Sequence, residues 1–479
     1  MHIKFLTQSS ISFVYIILVC LYSIGCSNAK EETKANAVTH SSSQIILSIP
    51  DTLNPGVLYP KVLINNDQLN SFALYLPKLY RSNTNWPVVF FFDSGGNGSL
   101  PLNKYKSLAD SLGYIFIGSN VSKNGQQIEE SFSIWNALKN STLNNLSIDK
   151  NRVLLAGFSG GARVCCALAE KEPNTLGVIA NSAGAQQLEE ILNPNTIFIG
   201  LCGNGDMNRA EMLGIEQHLL GTTLRHYYVE FEGIHEWATP KTMLKAISVA
   251  SFSSYLKQPS LLNTNLVANF TLMQIKEIEN LKAKNKWVEA YNELLLLNKG
   301  TNGINNMSFE NIDSLKNNPA YLEQKTEMLK LNTEETLLQQ EIYKLLIEKV
   351  GLTIWKVKIE QIRKKIALKN NTSAMYQRVL GYASLVCYSL SNRNIVAKNY
   401  TDAEKTVLCY EIADPENAEV YFLKSIISGS KRDALSTINF LKKSLNLNLT
   451  NKSRILTQSE FLFLKNAESF KEIENKCQF

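Results

Sequence analysis

Three residues have the types and the order needed for nucleophilic attack on a carbonyl: Ser159, Asp206 and His235. Ser159 lies in Arg152-Val153-Leu154-Leu155-Ala156-Gly157-Phe158-Ser159-Gly160-Gly161-Ala162, an apolar run that enters a small-residue turn and then a helical pattern. Small neighbours permit a sharp strand-to-helix turn that lifts the hydroxyl above a sheet. Such a turn also occurs as plain structure, so the partners matter. Asp206 is the only aspartate between Ser159 and His235, and it follows the apolar run Ile197–Leu201 and the loop Cys202-Gly203-Asn204-Gly205. His235 lies in Phe231-Glu232-Gly233-Ile234-His235-Glu236-Trp237, just past another apolar run. A carboxylate that orients the imidazole lets it take the serine proton. Of the five histidines, His2 and His40 are near the N-terminus, His218 falls in a helical pattern and His226 begins a strand. His235 is therefore the expected base. The Gly160 amide, at the start of a helix, points at a developing oxyanion. A second donor, Gly95, is expected from Asp93-Ser94-Gly95-Gly96-Asn97-Gly98, with an ordinary turn as the alternative. Trp237 is a candidate wall for an aromatic or sugar group, with core packing as its alternative.

These residues need elements to hold them at one edge. Apolar runs recur at Ile45–Ile49, Phe72–Tyr75, Val88–Phe92, Tyr114–Gly118, Val153–Ala156, Gly177–Ala180, Ile197–Leu201 and Tyr227–Phe231. Several are continuously apolar, as strands covered on both faces are. Helical patterns such as Glu129–Leu138 and Ala162–Glu170 fall between them, which predicts a doubly wound, mainly parallel α/β sheet over residues 45–257. Beyond Gln258-Pro259-Ser260 the strands stop. Trp355, Ile359, Ile362 and Ile366 share a helix face, as do Leu338, Ile342 and Leu345. Lys286–Leu297 and Asn417–Leu447 read as helix or hairpin units. An all-α region is expected over residues 266–479, either irregular or a degenerate tetratricopeptide-like array. Every candidate site residue precedes Pro259, so a chain ending at Lys257 is expected to hold a complete sheet and site.

With G-F-S-G-G, the glycine loop at 94–98, G-N-G-D at 203–206 and G-I-H-E-W at 233–237, residues 70–250 resemble the α/β-hydrolase superfamily. The likeness is to the secreted esterase branch near polyhydroxyalkanoate depolymerases, feruloyl esterases and dienelactone hydrolases. Ser, Asp and His, each after a later strand, follow that superfamily's order. Asp93 stands where a histidine is familiar. The resemblance implies ester hydrolysis through an acyl-enzyme, without a cofactor. The short stretch between Asp206 and His235 leaves no room for a lid domain, which suits a bulky or polymeric ester. A serine peptidase of the same fold, or a binding protein whose helical part is functional, are the competing readings.

The N-terminus carries Lys4 and an apolar stretch from Ile11 to Ile24, short for a bilayer span but right for a signal peptide. Ser23-Ile24-Gly25-Cys26 resembles a lipobox without its usual Leu, so residues 1–25 are expected to be removed and Cys26 lipidated; an ordinary secretory signal is the alternative. Residues 26–44 read as a flexible tether. Lys30-Glu31-Glu32 resembles a surface-export tag, so the expected location is the outer membrane, facing the cell exterior. The chain has 49 basic and 43 acidic residues, a net charge of +6, without the Lys/Arg blocks that track phosphates. No nucleic-acid partner is expected. Cys165, Cys166, Cys202, Cys387, Cys409 and Cys477 show no metal-ligand spacing, and no metal is expected.

Overall fold

A computed structural model describes residues 53–64, 67–185, 187–302, 304, 312–449, 452 and 454–477. The signal segment, Cys26, the tether and the expected strand Ile45–Ile49 lie outside the described residues.

Eight strands form one sheet: β1 Leu58–Ile64, β2 Asp67–Tyr75, β3 Trp86–Phe92, β4 Ile115–Ser119, β5 Ile148–Phe158, β6 Thr175–Asn181, β7 Ile197–Gly203 and β8 His226–Phe231. Their spatial order is β1-β2-β4-β3-β5-β6-β7-β8, with β2 antiparallel to both neighbours and the strands from β4 onward parallel. This is the α/β-hydrolase fold. The seven runs expected from Phe72 onward each coincide with a strand, Tyr114 alone falling just before one. β1 has no counterpart among them, because Pro60 and Lys61 break its apolar pattern on an exposed edge, where a strand tolerates proline.

Helices cover both faces, which is why the central strands are apolar throughout. α1 (Ser99–Leu112), α2 (Ile128–Leu143), α3 (Gly160–Lys171), α4 (Arg209–Leu219) and α5 (Pro240–Lys257) pack on the sheet. Phe90 and Phe92 point to the face covered by α2 and α3, whereas Phe91 points to the face covered by α1 and α5. Alternate side chains of β3 thus enter two separate cores.

The first core does not close at Lys257. Thirteen residues of α5 are buried, far more than one face of a surface helix. Its outer side is covered by α6 (Thr264–Ala283) and α7 (Trp287–Thr301). Phe252 meets Phe270 edge to face at 5.1 Å, and Gly300 leaves only 2.9 Å between its missing Cβ and Val249. Lys245 pairs with Glu293, which also accepts from Gln274 Nε2 at 2.6 Å. The last strand ends at Phe231 and α5 at Lys257, but the packing continues.

The rest is helical: α8 (Pro319–Ile347), α9 (Leu352–Ala367), α10 (Ser373–Val396), α11 (Tyr400–Ala413), α12 (Ala418–Ser430), α13 (Ala434–Asn446) and α14 (Glu468–Cys477), with short turns between. Ile342, Trp355, Ile359 and Ile362 are buried in a third core, with Leu338, Leu345 and Ile366 packed beside it. Trp355 Nε1 donates to the Cys409 carbonyl at 2.9 Å, which satisfies the one polar atom of that buried ring. No described helix is long and apolar enough to cross a membrane.

Candidate active site

Ser159 joins β5 to α3 with φ 54° and ψ −121°, a conformation that a side chain adopts only when its surroundings impose it. Two glycines impose it. A Cβ on Gly157 would lie 2.2 Å from the Gly161 carbonyl oxygen, and one on Gly161 would lie 2.0 Å from that of Phe92. Either side chain would lever α3 off the strand edge. The Ser159 N–H donates to the Asn181 carbonyl at 2.8 Å, and the Ser159 carbonyl accepts from Ala162 and Arg163. The turn is fixed on both sides, and the hydroxyl stands at the helix N-terminus beside the Gly160 amide, which has no intrahelical acceptor.

Asp206 follows β7 and His235 follows β8, so parallel strands bring them to the same edge as Ser159. His235 Nε2 lies 3.1 Å from Ser159 Oγ, and Nδ1 lies 2.9 and 3.1 Å from the two Asp206 oxygens. With the proton on Nδ1, the ring donates to the carboxylate and Nε2 accepts from the serine. Asp206 is fully buried and also accepts the Asn208 N–H at 2.8 Å. Asn208 Nδ2 in turn donates to the Ser182 carbonyl at 2.8 Å.

The histidine loop is held by residues that carried no signal in the sequence. Lys104 Nζ donates to the Trp237 carbonyl at 2.7 Å, and the Tyr105 hydroxyl to the Ala238 carbonyl at 2.6 Å. Burial, then the nearby Glu236 carboxylate, push the Tyr105 phenol far up, so it stays a neutral donor. Asn181 accepts the Ala238 N–H and donates to the Glu236 carbonyl. None of these side chains belongs to a spacing motif; only the fold brings them together.

Two expected roles do not fit the geometry. Trp237 is buried against Phe91 and Tyr105, with Nε1 donating to Asp93 Oδ1 at 2.9 Å. It anchors the histidine loop and does not line a binding wall. The aromatic beside the imidazole is Phe158, at a ring distance of 4.8 Å. Gly95 is not free to bind an oxyanion, because its N–H donates to Asp93 Oδ2 at 2.9 Å. Among the described residues it is the Ser94 N–H of that loop that has no acceptor. Asp93, in place of the familiar histidine, is a buried brace between the two loops.

His226 Nδ1 lies 2.8 Å from the Leu224 carbonyl, and His218 Nε2 lies 2.5 Å from Glu189, both away from Ser159. The described cysteines are unpaired, and burial pushes the Cys166 thiol up to about 12. Among the described residues no cluster has the ligands for a metal ion. A cleft of about 860 Å³ lies behind the two site loops, between Asn204, Gly205 and Ile234 and the helical residues Glu323, Glu327 and Met375. Ser159, Asp206 and His235 do not line it.

No protein-family model matches the chain, and no curated protein does. Among solved structures it is similar to the feruloyl esterase module from Clostridium thermocellum complexed with sinapinate: 12% identity, 45% of this chain, 94% of that chain, TM-score 0.35. It is also similar to FphF, a fluorophosphonate-binding serine hydrolase of Staphylococcus aureus: 12% identity, 41% and 99% coverage, TM-score 0.34. A third is the esterase of the archaeon Pyrobaculum calidifontis: 12% identity, 43% and 87% coverage, TM-score 0.32.

Proposed function

We propose that this protein is a serine hydrolase of carboxylic esters. Ser159 attacks the acyl carbonyl while His235 takes its proton, and Asp206 holds the imidazole tautomer and stabilises the cation. The Gly160 and Ser94 amides bind the oxyanion, at about 3 kcal/mol of barrier for one such donor. His235 then protonates the leaving alcohol, and water releases the acyl group from Ser159. The observation that carries this reading is the unbroken contact from a buried carboxylate through an imidazole to a strained, glycine-framed serine. His235 is 21% exposed, and only α4 and β8 separate Asp206 from it, which favours a bulky or polymeric ester. The reading extends to a lipid anchor at Cys26, a place on the outer face of the outer membrane, and a tetratricopeptide-like helical half that docks a partner or polymer.

Turnover of p-nitrophenyl esters and peptide amides by the wild type and Ser159→Ala tests the chemistry. Ester turnover should fall about 10⁴-fold or more in the variant. Undiminished turnover contradicts the assignment, and amide cleavage without ester cleavage favours a peptidase. Loss of labelled palmitate in Cys26→Ala, with turnover intact, checks the anchor.

A further inference from the structure

The acid loop is gripped from outside its own sheet. Arg378 on α10 donates from Nη1 to the Asn204 carbonyl at 2.9 Å, and Gln339 on α8 donates to the Met207 carbonyl at 3.3 Å. Those carbonyls stand on either side of Asp206. Met207 packs against the helical core, where Gly381 makes room: a Cβ there would lie 3.2 Å from Met207 Cβ. Arg209 closes the loop with a 2.8 Å bond to Asn332 on α8.

Asn204 is the junction of this network. Its N–H donates to the Phe231 carbonyl at 2.8 Å, and its side chain accepts the Gly233 N–H at 3.3 Å. Whatever holds Asn204 therefore holds both the acid loop and the histidine loop. Arg378 itself is fixed by a bidentate pair to Glu335, with Nε at 2.8 Å and Nη2 at 2.5 Å. Arg378 is 7% exposed and Glu335 1%. A buried ion pair stabilises little, since desolvation offsets most of its attraction. What a guanidinium adds over an apolar side chain is donors in fixed directions, and here an Nη1 donor is aimed at Asn204.

We propose that Arg378 of the helical half is a positioning residue for Asp206, holding the acid loop through Asn204 so that the carboxylate faces His235. The inference rests on the serine-hydrolase reading for its kinetic consequence but not for its geometric one. The full-length protein is compared with Arg378→Met, Arg378→Lys and Arg363→Met. Among the described residues Arg363 bonds the Ile412 and Ala413 carbonyls within the helical half, at 2.7 and 3.2 Å, so it controls for general weakening. Two quantities are read: hydrogen exchange of the peptide spanning 203–209, and kcat and KM for p-nitrophenyl acetate.

Arg378→Met should speed exchange in that peptide and lower kcat by about 10- to 100-fold with KM within about twofold, since a small misplacement of a site group costs that much. Arg378→Lys should recover part of both, and Arg363→Met should change neither. Should Arg378→Met fail to fold, Gly381→Leu pushes the same loop through Met207 and should give the same paired change. Unchanged exchange at 203–209 in a folded variant, or equal effects of Arg363→Met and Arg378→Met, would overturn the proposal. A wild type without turnover would sink the serine-hydrolase reading, and the exchange result would still decide whether Arg378 holds the loop.

Discussion

The loops that carry Ser159 and Asp206 end adjacent regions of one sheet, yet they are held in opposite ways. The serine turn is built locally: Gly157 and Gly161 clear space for the Gly161 and Phe92 carbonyls, and α3 follows at once. The acid loop is built from afar, through Arg378, Gln339 and Asn332, more than a hundred residues along the chain. The first kind of placement is written in five consecutive residues. The second adds, to bonds the loop makes within the sheet domain, contacts that exist only when the helical half is folded against it. A site can thus depend on a region that contributes no reacting group.

Removing everything after Lys257 takes away the helical half's hold on the acid loop and should have the largest effect. Phe252 and Val249 would lose their cover from Phe270 and Gly300, and Lys245 would lose Glu293. At about 2 kcal/mol for each exposed apolar side chain, the loss approaches the margin by which a domain is stable. The expected outcome is an insoluble or molten fragment without turnover, checked by near-ultraviolet circular dichroism. A cooperative melt with wild-type turnover would mean that the helical half is dispensable.

Gly161→Ala attacks the local side. A Cβ 2.0 Å from the Phe92 carbonyl cannot be relieved by a rotamer change, so α3 must shift. The expected cost is about 2 kcal/mol of stability and about 10²-fold in kcat, measured by denaturant melts and ester turnover. Trp237→Phe should have the smallest effect. It removes the indole donor to the buried Asp93 while keeping an aromatic ring. A loss of about 1–3 kcal/mol in stability is expected, with KM unchanged because the ring does not reach the substrate.

The same contrast explains what could be read from the sequence. Most of the parallel strands announce themselves as unbroken apolar runs, because they are buried on both faces; the edge strand β8 alternates, with Tyr228 and Glu230 half-buried. β1 does not announce itself, since an edge strand with Pro60 and Lys61 has no such pattern. Ser159, Asp206 and His235 were legible from their order after successive strands. The braces Asp93, Lys104, Tyr105 and Asn181 were not, because a single lysine or asparagine carries no periodicity. Trp237 as a wall and Gly95 as a donor fail for the same reason: neighbourhood in sequence does not give direction in space. In the fold, Asp93 claims both the indole and the Gly95 amide.

If Ser159 is an activated nucleophile within this arrangement, a fluorophosphonate should modify it; the full-length protein is treated with the reagent and the adduct located by peptide mass mapping. One adduct per chain is expected, on Ser159, absent from Ser159→Ala and formed far more slowly in Asp206→Asn. An adduct on another residue, or none under conditions where the protein remains folded, would contradict it.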